Sequence, residues 1–461
     1  MFSNIANTFS NCFKIPELKS RIIFTMLVLA ICRVAAVVRI PGLDGAALAD
    51  FFKSHAGGEN SVLGLYSMFT GGALEHCAIG SLGIMPYISA TIIIQLLTAV
   101  VPQLSKLARE EGGRTKLIQY GRYLAVLLCL GQGSLMAFGW ERPASIFSGF
   151  TGTLVLWDNI WLYRITTVLI LTAGTMLLMW LGEQVTERGI GNGISLIISI
   201  GIVARLPMAF VSLRDMLLGS GPDGRGEYGK ILFLLALLAT VIAAVIAITQ
   251  AQRKIPVQYA QRAVGRKVFA GGTSFMPLKV NYAGVMPVIF AQAILMVPQY
   301  IFKYLSALPK AGPVKDIGTW LAIHLEQHRP EYLIAYGLMI LFFSYFWVAT
   351  QFNELQIADD LKKNGGYIPG VRPGQATSDY LHHAMTRITL AGAIFLVIIA
   401  IIPSLLNTWM KVDYNVGSFF GGTSILIIVG VMLDTMRQVE SHLLMRHYDG
   451  FLKKGRIKGR L

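Results

Sequence analysis

The sequence has few charged residues. Only 14% of its 461 residues are Asp, Glu, Lys or Arg, whereas 54% are hydrophobic and the mean hydropathy is +0.58. Soluble domains carry roughly 25% charged residues, so this composition predicts a polytopic membrane protein. The length of the chain therefore gives no count of soluble domains.

Cysteine and catalytic motifs are also scarce. The four cysteines, Cys12, Cys32, Cys77 and Cys129, have neither the pairing of a disulfide framework nor the spacing of a zinc site. The motifs GxxxxGK[ST], HExxH and GxSxG are absent from the sequence. We therefore expect no P-loop binding of ATP, no metal site, no cofactor and no enzymatic activity.

Acidic residues are nearly missing from the apolar runs. Asp434 lies at the end of the last run, and Glu183 and Glu187 lie at the end of the fourth, positions typical of a membrane interface. Carboxylates at membrane depth usually mark ion-coupled transport or catalysis. A secondary transporter with inverted repeats is the main alternative interpretation. It would need an acid or a coupling-ion site inside the membrane, and the sequence shows none. An intramembrane enzyme and a structural scaffold are two further alternatives.

Ten apolar runs are long enough to cross a membrane, since a helix rises about 1.5 Å per residue and the hydrocarbon core is about 30 Å thick. They lie at 22–40, 79–100, 118–138, 160–182, 193–212, 230–250, 283–304, 332–352, 387–407 and 417–436. The first contains Arg33 and lacks a small-residue cleavage site, so we expect a retained span. The weakest is 193–212, which contains Gly201, Arg205 and Pro207.

Basic residues indicate the orientation of these spans. The formal net charge is +15, and Lys and Arg cluster in the loops of one side. The positive-inside rule places both termini in the cytoplasm, which requires an even number of spans. Two loops on that side, 251–282 and 352–386, exceed about 12–15 residues, a length typical of functional or disordered segments. The simplest alternative is that both are solvated connectors.

The stretch 61–97 contains a break that a simple span does not explain. Residues 63–69 are apolar but too few to cross a membrane, and the next apolar run starts at Ile79. Gly71, Gly72 and Glu75 lie between them. Irregular backbone at membrane depth is tolerated only inside protein or beside a water-filled cavity. The pattern therefore predicts a half-helix folded back into the membrane next to a cavity.

Two spans open on nearly the same four residues, GIMP at 83–86 and GVMP at 284–287. If they correspond, the chain consists of two halves of five spans each, and the second half is inverted relative to the first. Six isoleucines at helical spacing lie near breaks in the spans, and branched side chains of this kind form narrow apolar constrictions. They are Ile84, Ile88, Ile194, Ile198, Ile289 and Ile427.

At these residues the sequence resembles the SecY family, the central subunit of the protein-conducting channel, over nearly its whole length. The matching segments are IPG at 40–42, MFTGGAL at 68–74, GIMPYISA at 83–90, GEQVTERGIGNG at 182–193, RKIPVQYA at 253–260, PLKVN at 277–281, GVRPG at 370–374 and FGGTS at 420–424. One departure is Glu354, where many members carry Pro. It leaves the local turn open but not the function.

The resemblance implies an all-α fold of about ten transmembrane helices, in two inverted five-helix halves that form a clamshell around a pore. The halves are expected at 1–212 and 213–436, with a basic cytoplasmic tail at 437–461. The six isoleucines match the pore ring of the family, and a re-entrant plug helix is expected at about 61–72. The plug residues are Leu63, Leu65, Tyr66, Met68, Phe69, Gly71 and Gly72.

The resemblance also implies a lateral gate, partners and a location. Gln95 and Gln292 lie on the two gate helices, and we hypothesise that they hydrogen-bond across the closed gate. The alternative is that each glutamine bonds to a neighbour within its own half. The expected partners are the small membrane subunits SecE and SecG, the SecA motor ATPase, the ribosome, the translocating polypeptide with its signal sequence, and the lipid bilayer. The expected location is a bacterial plasma membrane. The expected docking residues for the motor or ribosome are Arg253, Lys254, Arg262, Arg266, Lys267, Lys362, Lys363 and Arg372.

Overall fold

Most of the chain is helical. The computed structural model describes residues 15–54, 67, 69–110, 112–143, 150, 152–217, 228–259, 262–264, 267–269, 272–306, 312–326, 329–410, 416 and 423–454. The helices before the first strand are α1 (Pro16–Ala35), α2 (Gly45–Ser54), α3 (Met85–Val100), α4 (Pro102–Arg109), α5 (Gly113–Glu141), α6 (Ile160–Arg188), α7 (Gly193–Val203), α8 (Leu206–Leu217) and α9 (Tyr228–Gln250).

Four consecutive strands follow α9, and a fifth strand lies among the later helices. The strands are β1 (Gln252–Tyr259), β2 (Arg262–Val264), β3 (Lys267–Phe269), β4 (Thr273–Lys279) and β5 (Gly366–Tyr367). The later helices are α10 (Met286–Ser306), α11 (Pro313–His324), α12 (Pro330–Gln351), α13 (Glu354–Lys363), α14 (Gln375–Met410) and α15 (Thr423–Lys454).

Asparagine caps and first-turn prolines start many of these helices. The side chains of Asn159, Asn192 and Asn353 accept hydrogen bonds from backbone N–H groups at the starts of α6, α7 and α13. These bonds satisfy donors that would otherwise lack a partner. Glu354 lies in the first turn of α13, where its negative charge interacts favourably with the positive end of the helix dipole. A residue other than proline at this position is therefore compatible with a well-formed helix start.

Helices occupy all ten predicted spans, and the all-α polytopic fold is confirmed. Among the described residues, six helices are long and apolar enough to cross a membrane, and a bent pair at α3 and α4 raises this to seven. Several predicted edges differ from the observed ones. The first helix ends at Ala35 rather than 40, residues 79–84 form turns, and α15 continues into the predicted tail as far as Lys454.

The weakest predicted span, 193–212, is broken. The helix α7 ends at Val203, and α8 starts at Leu206 after a turn at residues 204–205. Pro207 lacks the backbone N–H that a continuous helix would use at this point. The predicted boundary between the halves at 212 falls inside α8, because that helix continues to Leu217.

The long loop at 251–282 is an antiparallel hairpin rather than a plain connector. The strand β1 pairs with β4 on one side and with β5 on the other. Ile255 and Val257 alternate with exposed residues along β1, and both are buried. This period of two is typical of a strand with one packed face. The pairing with β5 joins the two long loops into one unit.

The largest hydrophobic cluster extends through both halves of the chain. Contacts between the halves run along two lines, where α3 packs against α10 and where α7 packs against α15. We call these lines the first seam and the second seam. Gly191, just before α7, donates its backbone N–H to Oε1 of Gln438 in α15 at 2.8 Å. The predicted ring isoleucines and gate glutamines lie on or near these seams.

Candidate functional site

The two repeated GxMP motifs have matching backbone geometry. Gly83 has φ 60° and Gly284 has φ 64°, a left-handed conformation that glycine adopts without steric cost. The helices α3 and α10 then begin two residues later, at Met85 and Met286. Because the two helices start alike and pack against one another at the first seam, the geometry supports the predicted correspondence between the halves.

The six predicted ring isoleucines belong to one hydrophobic cluster. Five of them are at most 4% exposed. Ile194 is partly buried and packs against the cluster that contains the other five. They come from different elements: the first seam supplies Ile84, Ile88 and Ile289, and the second supplies Ile194, Ile198 and Ile427. The structure therefore brings together residues from four separate segments. Their role as a pore ring stays a prediction.

The predicted plug is partly described. Leu63, Leu65, Tyr66 and Met68 lie outside the described residues. Phe69 is 5% exposed and belongs to the main hydrophobic cluster. It lines a cavity of about 20 Å³ together with Thr70, Ile84, Arg33 and other residues of α1 and α7. A volume of this size holds about one water molecule, so little free space remains between Phe69 and Ile84 around it.

Two arginines inside predicted spans contact residues at the end of the predicted plug and just after it. Nη2 of Arg33 donates a hydrogen bond to the backbone carbonyl of Gly71 at 3.0 Å. Arg205, in the turn between α7 and α8, forms an ion pair with Glu75. The hydroxyl of Ser67 also donates to Oε1 of Glu75, and Ser67 is completely buried. These polar contacts give the buried carboxylate both a cation and a neutral donor.

The hypothesis of a hydrogen bond between Gln95 and Gln292 is wrong for this conformation. Gln292 is 6% exposed, and Oε1 of each glutamine is buried without a hydrogen-bond partner. A bond between the two amides in either direction would give one of these oxygens a donor. The two helices nevertheless pack together at the first seam, so van der Waals contact and not an amide pair joins them.

A polar cluster lies at the N-terminal end of α3. Arg122 of α5 forms a bidentate ion pair with Glu183 of α6, with Nε–Oε1 at 3.1 Å and Nη2–Oε2 at 2.7 Å. The hydroxyl of Tyr87 in α3 donates to the same carboxylate at 3.4 Å. Glu183 therefore connects three helices. The sequence placed it at a membrane interface but gave no indication of its partners.

The predicted docking residues lie on the unit formed by the two long loops. Arg253 and Lys254 on β1 are exposed, and so are Lys362, Lys363 and Arg372. Tyr367 of β5 donates from its hydroxyl to Oε1 of Gln258 on β1 at 2.9 Å. Arg262 and Lys267 belong to β2 and β3, whereas Arg266 lies outside the described residues. The fold thus places Arg253 and Lys254 on β1, which pairs with β5 of the second loop, whereas Lys362 and Lys363 end α13 and Arg262 and Lys267 lie on a separate two-stranded sheet.

Similarity to known proteins decides the family. The sequence model of the SecY family matches residues 78–436, which is more than half of the chain. Protein translocase subunit SecY of Chlamydia trachomatis is 43% identical over 461 residues, a match that covers 98% of this chain and 99% of the relative. The chain belongs to the SecY family. The SecY subunit of Thermotoga maritima is 40% identical, with coverage of 98% and 99%.

Solved structures of SecY-type channels have the same fold. One of them has a TM-score of 0.62 at 19% identity. It was reported in work on how the plug domain of that SecY protein stabilises the closed state of the channel and maintains a membrane seal. Another, Sec61 in the canine ribosome–channel complex from the endoplasmic reticulum, has a TM-score of 0.55 at 18% identity. Each match covers 95% of this chain and 94% of the other.

Sequence reasoning missed three features of this SecY-family chain: the Glu75–Arg205 ion pair, the Arg33–Gly71 hydrogen bond and the Glu183 cluster. The available signal was the presence of arginines within apolar runs. A charge at membrane depth is costly unless it has a partner, so each such arginine predicts a partner without identifying it. Identifying that partner required the tertiary structure.

Proposed function

We propose that this chain is the central, pore-forming subunit of a bacterial Sec translocase. It is a passive channel that passes unfolded secretory polypeptides across the membrane. Signal sequences and transmembrane segments leave it sideways into lipid between α3 and α10. The observation that supports this proposal most directly is in the predicted plug, whose Phe69 lines one small cavity with Ile84 and belongs to the same buried hydrophobic cluster.

An apolar constriction suits a channel that accepts many sequences. A translocating chain must not be held by specific polar contacts, because every secretory sequence has to pass. Isoleucine side chains offer no hydrogen bonds, and a narrow apolar ring excludes water and ions by dewetting. The buried acid of the site, Glu75, is paired with Arg205, which supports a structural role over the coupling-ion site that a transporter would need.

The direction of transport and its driving force come from partners in this proposal. SecA or the ribosome docks on the basic residues of the two cytoplasmic loops and supplies the push. SecE and SecG complete the complex in the plasma membrane of a bacterium, and both termini of this chain lie in the cytoplasm. The exposed Arg253, Lys254 and Arg372 support this docking surface, and a ribosome–channel complex of the same fold supports the ribosome as one occupant.

Site-specific crosslinking of an arrested secretory chain tests the channel. Photoreactive residues are introduced one at a time at Ile84, Ile88 and Ile289, and at two exposed span positions, Ile165 and Ile398, as controls. We expect adducts at the first three positions that require a signal sequence. Adducts confined to loops or equal at the control positions would contradict the channel.

A further inference from the structure

The Glu75–Arg205 ion pair joins two features that the pore assignment leaves unexplained. Glu75 lies in the turns at residues 71–77, directly after Phe69 and Thr70, and Arg205 lies at the break between α7 and α8. Their positions are 130 residues apart in the sequence. Both side chains are largely buried: that of Glu75 is 10% exposed and that of Arg205 is 17% exposed. A buried ion pair of this kind is strongly destabilised when one partner is removed, because the other charge stays behind unpaired.

Close backbone packing brings the two groups together. Gly201 lies one turn before Arg205, and a Cβ at Gly201 would lie 3.3 Å from the backbone carbonyl oxygen of Phe69. A Cβ at Gly71 would lie 2.9 Å from Cα of Gly201. The two segments therefore touch through glycines. This contact places the end of α7 directly beside the re-entrant segment.

The helix α7 is also part of the constriction. Ile194 and Ile198 lie on α7, which packs against α15 at the second seam. Any movement of α7 that widens the ring moves the backbone to which Arg205 is attached. The same movement pulls Arg205 away from Glu75, because the turn at 204–205 directly follows the helix.

We propose that Ser67, Glu75 and Arg205 form a latch that couples the plug to the ring. In the closed channel, Arg205 is a positioning residue that holds the re-entrant segment against α7, and Ser67 fixes the carboxylate that it binds. When α7 moves, the latch opens and the re-entrant segment is released. The latch therefore determines how strongly the channel stays closed without a substrate. This inference rests on the proposed channel function.

Ion leakage through the purified full chain in liposomes tests the latch. The decay of a potassium gradient is followed with a potential-sensitive dye. Glu75→Gln and Arg205→Gln each remove the attraction between the two side chains, so we expect each to raise the leak about tenfold or more. The exchanged pair Glu75→Arg/Arg205→Glu restores an attraction of the same kind and is expected to return the leak to the level of the unaltered chain.

A matched control separates the latch from general damage. Arg164 and Glu141 form another partly buried ion pair, between α6 and α5, with Nε–Oε1 at 2.6 Å. Glu141→Gln removes that pair without touching the plug and is expected to leave the leak unchanged. A misfolded channel would not be repaired by the exchanged pair. The inference is overturned if the single variants are as tight as the unaltered chain, if the exchanged pair leaks as they do, or if Glu141→Gln leaks equally.

The outcome also separates the latch from the proposed function. If the unaltered chain gives signal-dependent crosslinks but the single variants do not leak, the channel stands and the latch is wrong. If the single variants leak but an arrested secretory chain gives no crosslinks at the ring, the latch seals a pathway that does not conduct proteins. The second result would overturn the proposed function and the latch's role in it.

Discussion

The guanidinium of Arg33 donates to the backbone carbonyl of Gly71 at 3.0 Å, so the first helix directly holds the start of the polar joint. Gly71 has φ 64°, and a Cβ there would lie 2.2 Å from Nη1 of Arg33. The neighbouring Gly72 has φ 86°, but a Cβ there would meet no atom within 4 Å. The two glycines thus differ in packing and share a backbone conformation.

This difference predicts unequal costs for the same substitution. Gly72→Ala pays only for the left-handed backbone, roughly 1–2 kcal/mol of the free energy of unfolding. Gly71→Ala has the same backbone cost and also displaces Arg33 from its hydrogen bond, a bond to a charged group that contributes about 1.5–3 kcal/mol. The added Cβ would also crowd Cα of Gly201 at 2.9 Å, which increases the loss further. Thermal unfolding in detergent measures both variants. Equal losses of stability would show that the Arg33 contact contributes nothing.

The ring assignment predicts that a polar group at Ile84 opens a path for water. Ile84→Asn puts an amide into the apolar cluster, at a cost of roughly 1–3 kcal/mol, and the amide recovers that cost by binding water. We expect the closed channel to conduct ions about tenfold faster and to export substrates without signal sequences. The matched control is Ile398→Asn, on a side chain that is 57% exposed. Full ion tightness of the Ile84 variant with normal signal dependence would exclude Ile84 from the ring.

Oε1 of Gln292 is buried without a hydrogen-bond partner, so we expect its removal to stabilise the contact between α3 and α10. Gln292→Leu deletes a buried acceptor that has no donor, and this is expected to stabilise the closed first seam by about 1–3 kcal/mol. Export of substrates with weakly hydrophobic signal sequences should then slow.

The control for this variant lies on the same helix. Nε2 of Gln299 donates to the carbonyl of Leu325 at 2.8 Å, so Gln299→Leu removes a bond that is made and should lower stability. Opposite signs of the two changes in unfolding free energy support the argument. A destabilised Gln292→Leu variant would refute it.

Docking on the loop unit predicts a charge-dependent effect at Arg372. The residue is exposed, and Thr377 Oγ1 donates to its backbone carbonyl at 2.9 Å, so the turn itself does not depend on the charged group. Arg372→Glu should leave stability within about 0.5 kcal/mol. It should weaken binding of SecA about tenfold and slow motor-driven export, as measured with inverted membrane vesicles.

Arg329→Glu gives the comparison for that experiment. Arg329 is exposed at the start of α12, at the opposite end of that helix from the loop unit. It carries the same change of charge without altering the proposed docking surface. If both variants bind the motor as strongly as the unaltered chain does, Arg372 is not part of the docking surface.

Much of the architecture follows from local sequence. Each of the ten apolar runs contains helix, although 79–84 form turns and 193–212 is broken, and the GxMP pair identified two helices that start in the same way and meet at a seam. Arg205 and Pro207 marked the run 193–212 as irregular in the sequence, and the helix is interrupted there between Val203 and Leu206. The hairpin at 252–279 was missed, although Ile255 and Val257 alternate with polar residues, because that signal is only a few residues long.

Composition and spacing determined what each segment is. Hydrophobic length defines a span, and glycine and proline define where it breaks, since both act within a few residues of their own position. Only the tertiary structure decided which polar groups have partners. Arg205 finds Glu75 across 130 residues, while Gln95 and Gln292 leave their oxygens unpaired on adjacent helices. A partner of this kind depends on how whole helices pack, to within about 1 Å, and no local pattern encodes that distance.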